Sequence, residues 1–312
     1  MENTEAPSNT KENLEKRKSS AIHMMEDLLG KPLANPKELE EVQKRSLAIK
    51  EGLFMGMLKI FPNLFGEQQK KALAFKQEYQ DYFPYQYKTT ELYHIGSFLK
   101  GDVLDVSKPL EELKAVLSGK KILIIGDDHG SLSEILKILG ADVCGVEYSK
   151  EKVDIAHSGV QAESHQPQMQ VIQGDAWDLA DSQAALYKEI EQHGPYDMIY
   201  SYAVLNGGSG FVEGKWDKYV DQKEYDNEVI KGFAKFFQGV DGLLGQGGIQ
   251  LHDNVSDKGR VVPYPYHGSE RFYYMEADPN LVASIKENIV AVLNDDEGSI
   301  AFVKGSPQQI AV

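Results

Sequence analysis

The chain reads as an α/β protein, a doubly wound and mostly parallel sheet with an N-terminal all-helical accessory region. Three observations predict this. Between Lys120 and Ser149 an apolar run, a glycine turn, an amphipathic helix and a second apolar run follow one another, which is the order of a parallel crossover. Further short apolar runs at 169–173, 196–202, 249–252 and 300–303 are spaced by connecting and helical patterns. Upstream, from about Ser20 to Lys100, the apolar residues recur at helical spacing.

Length and composition set the frame. With 312 residues, of which 41% are hydrophobic, the chain can bury a full core and suits one large domain plus a smaller region. Residues 1–18 are polar with few apolar anchors and read as disordered, 19–104 as a helical cap, and 105–312 as the sheet domain. The 33 basic and 48 acidic side chains leave a formal charge of −15, which repels phosphate backbones. Only Lys16, Arg17 and Lys18 form a basic cluster, so nucleic acid is a poor partner. Cys144 is the single cysteine, which excludes an internal disulfide. No apolar run approaches a membrane span and the first residues lack the apolar core of a secretion signal, so a soluble cytoplasmic protein with no membrane partner is expected.

In the helical region Ile22, Met25, Leu28 and Leu29 share a face, and Leu39, Val42, Leu47, Ile49, Leu53, Met57 and Ile60 continue it. Pro36 opens one helix and Pro62 interrupts another. The stretch from Gln77 to Phe98 is crowded with Tyr79, Tyr82, Phe83, Tyr85, Tyr87, Tyr93 and His94. Two readings stand equally: these rings line a substrate cavity, or they pack a helix on the sheet with their hydroxyls at the rim. Leu104 to Leu117 reads as a helix or linker that ends at Gly119.

The central stretch is the most informative. Ile122 to Ile125 is an apolar run suited to a strand buried on both faces, Leu132, Ile135, Leu136 and Leu139 form a helical stripe, and Gly140 sits where a C-terminal cap belongs. A second strand from Asp142 to Val146 ends at Glu147. A glycine turn followed about 20 residues later by an acid holds nucleotide-type ligands at strand ends. A dinucleotide fingerprint registered on Gly126 needs glycines at 128 and 131, where Asp128 and Ser131 stand. Asp127 and Asp128 repel a pyrophosphate and favour a cationic or zwitterionic nucleoside.

These residues resemble the class I S-adenosylmethionine-dependent methyltransferases, whose first motif is acid-x-Gly-x-Gly-x-Gly and whose second strand ends in a ribose-binding acid. Gly126 and Gly130 fall on the first and third family glycines and Glu147 on the ribose acid; Ile124 replaces the first acid and Asp128 the middle glycine. The resemblance implies a seven-stranded sheet with S-adenosylmethionine as cofactor, and it makes Asp127 and Asp128 part of the cofactor turn. After the third strand it places Asp175 on the adenine amino group, Ala176 as a backbone donor, and Trp177 as a wall of the ring. At the end of the fourth strand, Tyr196 to Tyr202, Tyr202 and Asn206 become acceptor-side residues together with Tyr85, Tyr264 and Tyr266. The Asn-Pro-Pro-Tyr sequence of familiar base and glutamine N-methyltransferases is absent from the sequence.

A helix from about Gln222 to Leu244, a turn at Gly245 to Gly248 and a fifth strand from Ile249 to His252 follow. His252-Asp253-Asn254 resembles the Asp-Asn turn of metal-dependent O-methyltransferases, but Tyr202 occupies the place of their second acid, so no metal site is expected. His252, oriented by Asp253, and His267, in an aromatic loop, are rival general bases; His252 as a sheet-edge cap is the equal alternative. Asp278 and Pro279 open a helix ending near Asn294, and 300–303 with 310–312 read as a closing hairpin.

The leading function is methyl transfer to the oxygen or nitrogen of a small-molecule acceptor beneath the helical cap. Two alternatives stand beside it: an aminopropyltransferase using the decarboxylated donor, and a methyltransferase-like binding or assembly protein without catalysis. The acceptor and the methylated atom are not legible, and a homodimer stays open.

Overall fold

The computed structural model describes residues 36–62, 88–127, 129–158, 170–202, 204, 222–253, 291–293 and 299–305. Three helices come first: α1 (Pro36–Ile60), α2 (Lys88–Lys100) and α3 (Pro109–Leu117). The sheet domain follows as β1 (Lys121–Ile125), α4 (Ser131–Ile138), β2 (Asp142–Glu147), α5 (Lys150–Ser158), β3 (Gln170–Gln173), a 3-10 turn (Ala176–Ala180), α6 (Ala185–Glu191), β4 (Tyr196–Tyr202), α7 (Gln222–Leu243), β5 (Leu244–Asp253), β6 (Ala291–Leu293) and β7 (Ser299–Val303).

The strands lie in the order β3-β2-β1-β4-β5-β7-β6. β1 to β5 run parallel, and β7 is antiparallel to both β5 and β6. The central strand β1 is covered on both sides, because successive side chains point to opposite faces. Ile122 and Ile124 of β1 pack with Met198, Tyr200 and Leu251 against α1, α2, α3 and α4. Leu123 and Ile125 pack the other way, with Ile199, against α6 and the phenylalanines of α7. The first of these cores runs without a break from Ile49 and Leu92 into the sheet, so the helical region and the strands share one interior across residue 105. No described helix is long and apolar enough to cross a membrane.

Two expectations are corrected. The helix proposed to end near Asn294 does not extend through Ala291–Leu293, which pairs as strand β6 with β7. Strand 299–303 thus pairs with this strand as well as with β5; residues 310–312, the expected partner, lie outside the described residues. A free edge of β7 is a row of unpaired amides, and pairing overrides the helical spacing of a three-residue apolar run. The glycine turn at 245–248 is likewise absorbed into β5: Tyr196 pairs with Leu244 and Met198 with Ile249, a bulge that takes up the extra residues.

Close approach explains one glycine of α7. A Cβ on Gly239 would lie 2.1 Å from the Leu179 carbonyl oxygen and 2.8 Å from Ala180 Cα, both backbone atoms of the 3-10 turn. Gly239→Ala must push the helix off that turn, which follows β3 and carries Trp177. The substitution is expected to cost about 1–3 kcal/mol, the range for overpacking a filled interior. A thermal melt that leaves the midpoint unchanged would contradict this contact.

Candidate functional site

β1 is flanked by β2 on one side and β4 on the other, so the chain reverses its direction of travel across the sheet at this point. A crevice opens outside the carboxyl ends of the strands at such a switch point. The turn that follows β1 is shaped for it. Gly126 and Gly130 have φ of 78° and 77°, in the left-handed region that L side chains avoid. The Gly126 amide donates to the Val146 carbonyl at 2.8 Å, tying the turn to β2. A Cβ on Gly126 would lie 2.5 Å from Val204 Cγ2 and 3.5 Å from the Tyr202 carbonyl, so the turns after β1 and β4 meet at a bare Cα. Gly130 lies just before the first residue of α4.

The acids divide between two roles. Asp127 is 2% exposed and faces inward. Its Oδ1 accepts from the Ser133 amide at 3.3 Å, closing the first turn of α4, and a Cβ on Gly145 would fall 2.7 Å from Oδ2. Burial pushes its carboxyl up to about 7. Asp127 therefore builds the turn from behind. Glu147, last in β2, is also buried, with Oε1 accepting from the Ser149 amide at 2.9 Å.

Asp175 is brought beside Glu147 by the hydrogen bond from the Gly174 amide to the Glu147 carbonyl, 3.0 Å. Its Oδ1 accepts from the Trp177 amide at 3.0 Å and caps the 3-10 turn that begins at Ala176. The Trp177 ring lies against α7, its centroid 5.2 Å from Phe236 and 6.3 Å from Phe233. Tyr202 ends β4, half-buried, at the Gly126 contact. Asp128, Tyr85, Asn206, Tyr264, Tyr266 and His267 lie outside the described residues.

His252 lies in the interior. It is fully buried on the α7 side of the sheet, within ring contact of Phe236 and Phe237 at 5.7 and 5.3 Å. Nδ1 accepts from the Ser201 hydroxyl at 2.8 Å and Nε2 donates to Gln250 Oε1 at 3.2 Å. Burial lowers its pKa to about 3. The imidazole is thus neutral, with both ring nitrogens engaged within the interior. The pairing with Asp253 fails for a geometric reason: neighbours in a strand face opposite sides.

Asp253 turns instead to the helical side. Its Oδ2 accepts from Tyr200 Oη at 2.7 Å and from His94 Nδ1 at 3.0 Å. His94, on α2, was read only as part of an aromatic stretch. Glu91, one turn earlier, is 4% exposed, with the Lys88 ammonium 3.6 Å from its Oε2. Burial raises its carboxyl to about 7, against the pull of Lys88 and with the repulsion of Asp253 and Asp127. The spacing Glu91, His94, Ser97 puts polar groups on one face of a helix otherwise packed with Leu92, Ile95 and Phe98, and that is the signal by which the cluster was legible. Among the described residues no group of three or more His, Cys, Asp or Glu side chains is placed to hold a metal ion.

A second crevice, of about 300 Å³, lies at the opposite edge, where Phe98 and Lys100 of α2 meet Lys120, Asp197, Gln246 and Ile249. Lys120 and Asp197 form an ion pair across it at 2.9 Å. It stands at the amino ends of the strands, away from the glycine turn.

The strand order, with one antiparallel strand inserted between β5 and β6, is that of the class I S-adenosylmethionine-dependent methyltransferase fold. No family model and no curated protein matches the sequence. Among solved structures, the chain is similar to an S-adenosylmethionine-dependent methyltransferase from Mesorhizobium loti, at 18% identity and a TM-score of 0.28 over 44% of this chain and 47% of that one. It is also similar to magnesium protoporphyrin IX methyltransferase from Synechocystis PCC 6803 with bound SAM, at 15% identity, TM-score 0.38, and 69% and 79% of the two chains. TehB from Haemophilus influenzae aligns at 14% identity, TM-score 0.37, and 62% and 61%. The chain spans about half the length of the first of these.

The buried histidine has a consequence for acid stability. His252 is neutral in the fold with its pKa near 3, whereas the unfolded residue titrates near 6.5, so its contribution is lost as pH falls from about 6.5 towards 3. His252→Gln escapes this loss, while Glu91 and Asp127 titrate in both proteins and cancel in the comparison. In urea unfolding, the advantage of the unsubstituted protein is expected to shrink between pH 7.5 and pH 5. A gap that is constant or widens contradicts the buried neutral imidazole.

Proposed function

We propose that the protein is an S-adenosylmethionine-dependent methyltransferase acting on the oxygen or nitrogen of a small-molecule acceptor. One observation carries the reading: at the switch point two left-handed glycines shape the turn after β1, and the neighbouring strand ends in a carboxylate.

The residues suit this ligand better than a phosphate one. Glu147 at the end of β2 is placed for the ribose hydroxyls, since a carboxylate accepts from two adjacent hydroxyls. Asp175 and the Ala176 amide, held beside it through Gly174, take the adenine edge. The bare Cα of Gly126 lets the turns after β1 and β4 close together beside the methionine portion, and Asp127 braces the turn from behind through the Ser133 amide. Bound there, the sulfonium supplies an electrophilic methyl carbon. Tyr202 at the end of β4 borders that side, and α2 covers the strand ends from above. The protein's part in the rate is positional, holding the nucleophile in line with the methyl group. The surface charge and the enclosed position of α2 support a small acceptor over a polynucleotide.

Titration calorimetry with S-adenosylmethionine tests the assignment. Binding is expected, and Glu147→Gln and Asp175→Ala are each expected to weaken it about tenfold, in keeping with loss of a hydrogen bond to a charged group. Absence of heat at high donor concentration, or unchanged affinity in both variants with their circular dichroism intact, contradicts it.

A further inference from the structure

We propose that His94 is the proton acceptor of the transfer step and that Asp253 and Tyr200 position it; the role rests on the methyltransferase reading above. α2 crosses the sheet with its first turns at the carboxyl ends of the strands. His94 meets the last residue of β5, while Phe98 and Lys100 meet Lys120 and Asp197 at the strand starts. The helix is buried nearly all round, yet its interior face carries Thr89, Glu91, His94 and Ser97. The hydroxyls of Thr89 and Ser97 have no hydrogen-bond partner among the described residues, and neither does Glu91 Oε2. Buried polar groups without partners cost stability, and a core helix that keeps them suits a face that meets a ligand or takes part in a reaction.

Within that face the imidazole is held in one orientation. An ionised carboxylate only accepts, so Nδ1 of His94 carries the proton donated to Asp253 Oδ2, and the Tyr200 hydroxyl donates to the same oxygen. This leaves the lone pair on Nε2, which makes no hydrogen bond to a described residue. Base, orienting acid and anchoring hydroxyl follow the general logic of a positioned histidine. His252 has neither property, since both of its nitrogens are engaged on the other face.

The inference narrows the acceptor to a protic nucleophile, a phenol-like hydroxyl or a neutral N–H. Its heteroatom bonds to the methyl carbon as the carbon–sulfur bond breaks, and that bond's electron pair stays on sulfur as a neutral thioether. The acceptor's proton passes to His94 Nε2, where Asp253 stabilises the imidazolium, and it then leaves to water.

The test uses the full chain labelled with ¹⁵N-histidine, observed by long-range ¹H–¹⁵N NMR, with His94→Gln assigning the signal. The expected spectrum is the Nδ1–H tautomer with Nε2 unprotonated, and Asp253→Asn is expected to abolish that preference. An Nε2–H tautomer, or a His94 signal indifferent to Asp253→Asn, overturns the proposal. Formation of S-adenosylhomocysteine in the presence of a library of phenols and amines gives the second readout. For an acceptor that is turned over, His94→Ala and His94→Gln are expected to lower kcat at least about 100-fold with KM little changed, and added imidazole is expected to restore part of the rate to His94→Ala. Turnover by either variant at the unsubstituted rate overturns it. Failure of the protein to bind S-adenosylmethionine in calorimetry would remove the methyltransferase reading itself, whereas binding with the wrong tautomer removes only His94.

Discussion

One oxygen, Oδ2 of Asp253, ties the helical region to the carboxyl end of β5. It accepts from Tyr200 of the neighbouring strand at 2.7 Å and from His94 of α2 at 3.0 Å, with all three side chains buried. A buried carboxylate is costly to leave unpaired, so this junction stands only while α2 lies across the ends of β4 and β5. The apolar residues around it, Leu92, Ile95, Phe98, Met198 and Leu251, supply attraction without direction. The two hydrogen bonds supply the direction. They fix His94 at the last residue of β5, while Phe98 and Lys100 of the same helix meet Lys120 and Asp197 at the strand starts.

The alternation of β5 sets up two polar networks from adjacent residues. His252 goes to the α7 face, where Ser201 and Gln250 satisfy it among phenylalanines, and Asp253 goes to the α2 face. The first is a closed arrangement that locks β4 to β5 and α7, since Gln250 in turn donates to the Phe237 carbonyl at 2.9 Å. The second is polar and strongly buried, and it joins β4 and β5 to α2. At the switch point beside β4, Gly126 permits contact with Val204 that any Cβ would prevent.

Much of this frame was legible before any coordinates. The strand, turn, helix and strand between Lys120 and Ser149 lie where apolar runs and glycines put them, because those signals are local and mutually consistent. β3, β4 and α7 match for the same reason. What was hidden depends on distant partners. Ala291–Leu293 becomes a strand only because β7 offers an edge, and Gly245 to Gly248 join β5 only because Tyr196 and Met198 fix the register on either side. The side to which His252 points follows from alternation once the register of β5 is known, and adjacency in sequence misled the pairing with Asp253. The bond between His94 and Asp253 spans 159 residues, and no local pattern encodes it.

The central claim is that a nucleoside donor occupies the carboxyl-end crevice at the switch point, beneath α2. Hydrogen exchange read by mass spectrometry, with and without S-adenosylhomocysteine, tests it most directly. The account predicts slowed exchange in peptides covering 122–131, 144–149 and 174–177, with a smaller effect at the start of α2. Protection confined to the opposite edge, around Lys120, Asp197 and Gln246, would contradict it.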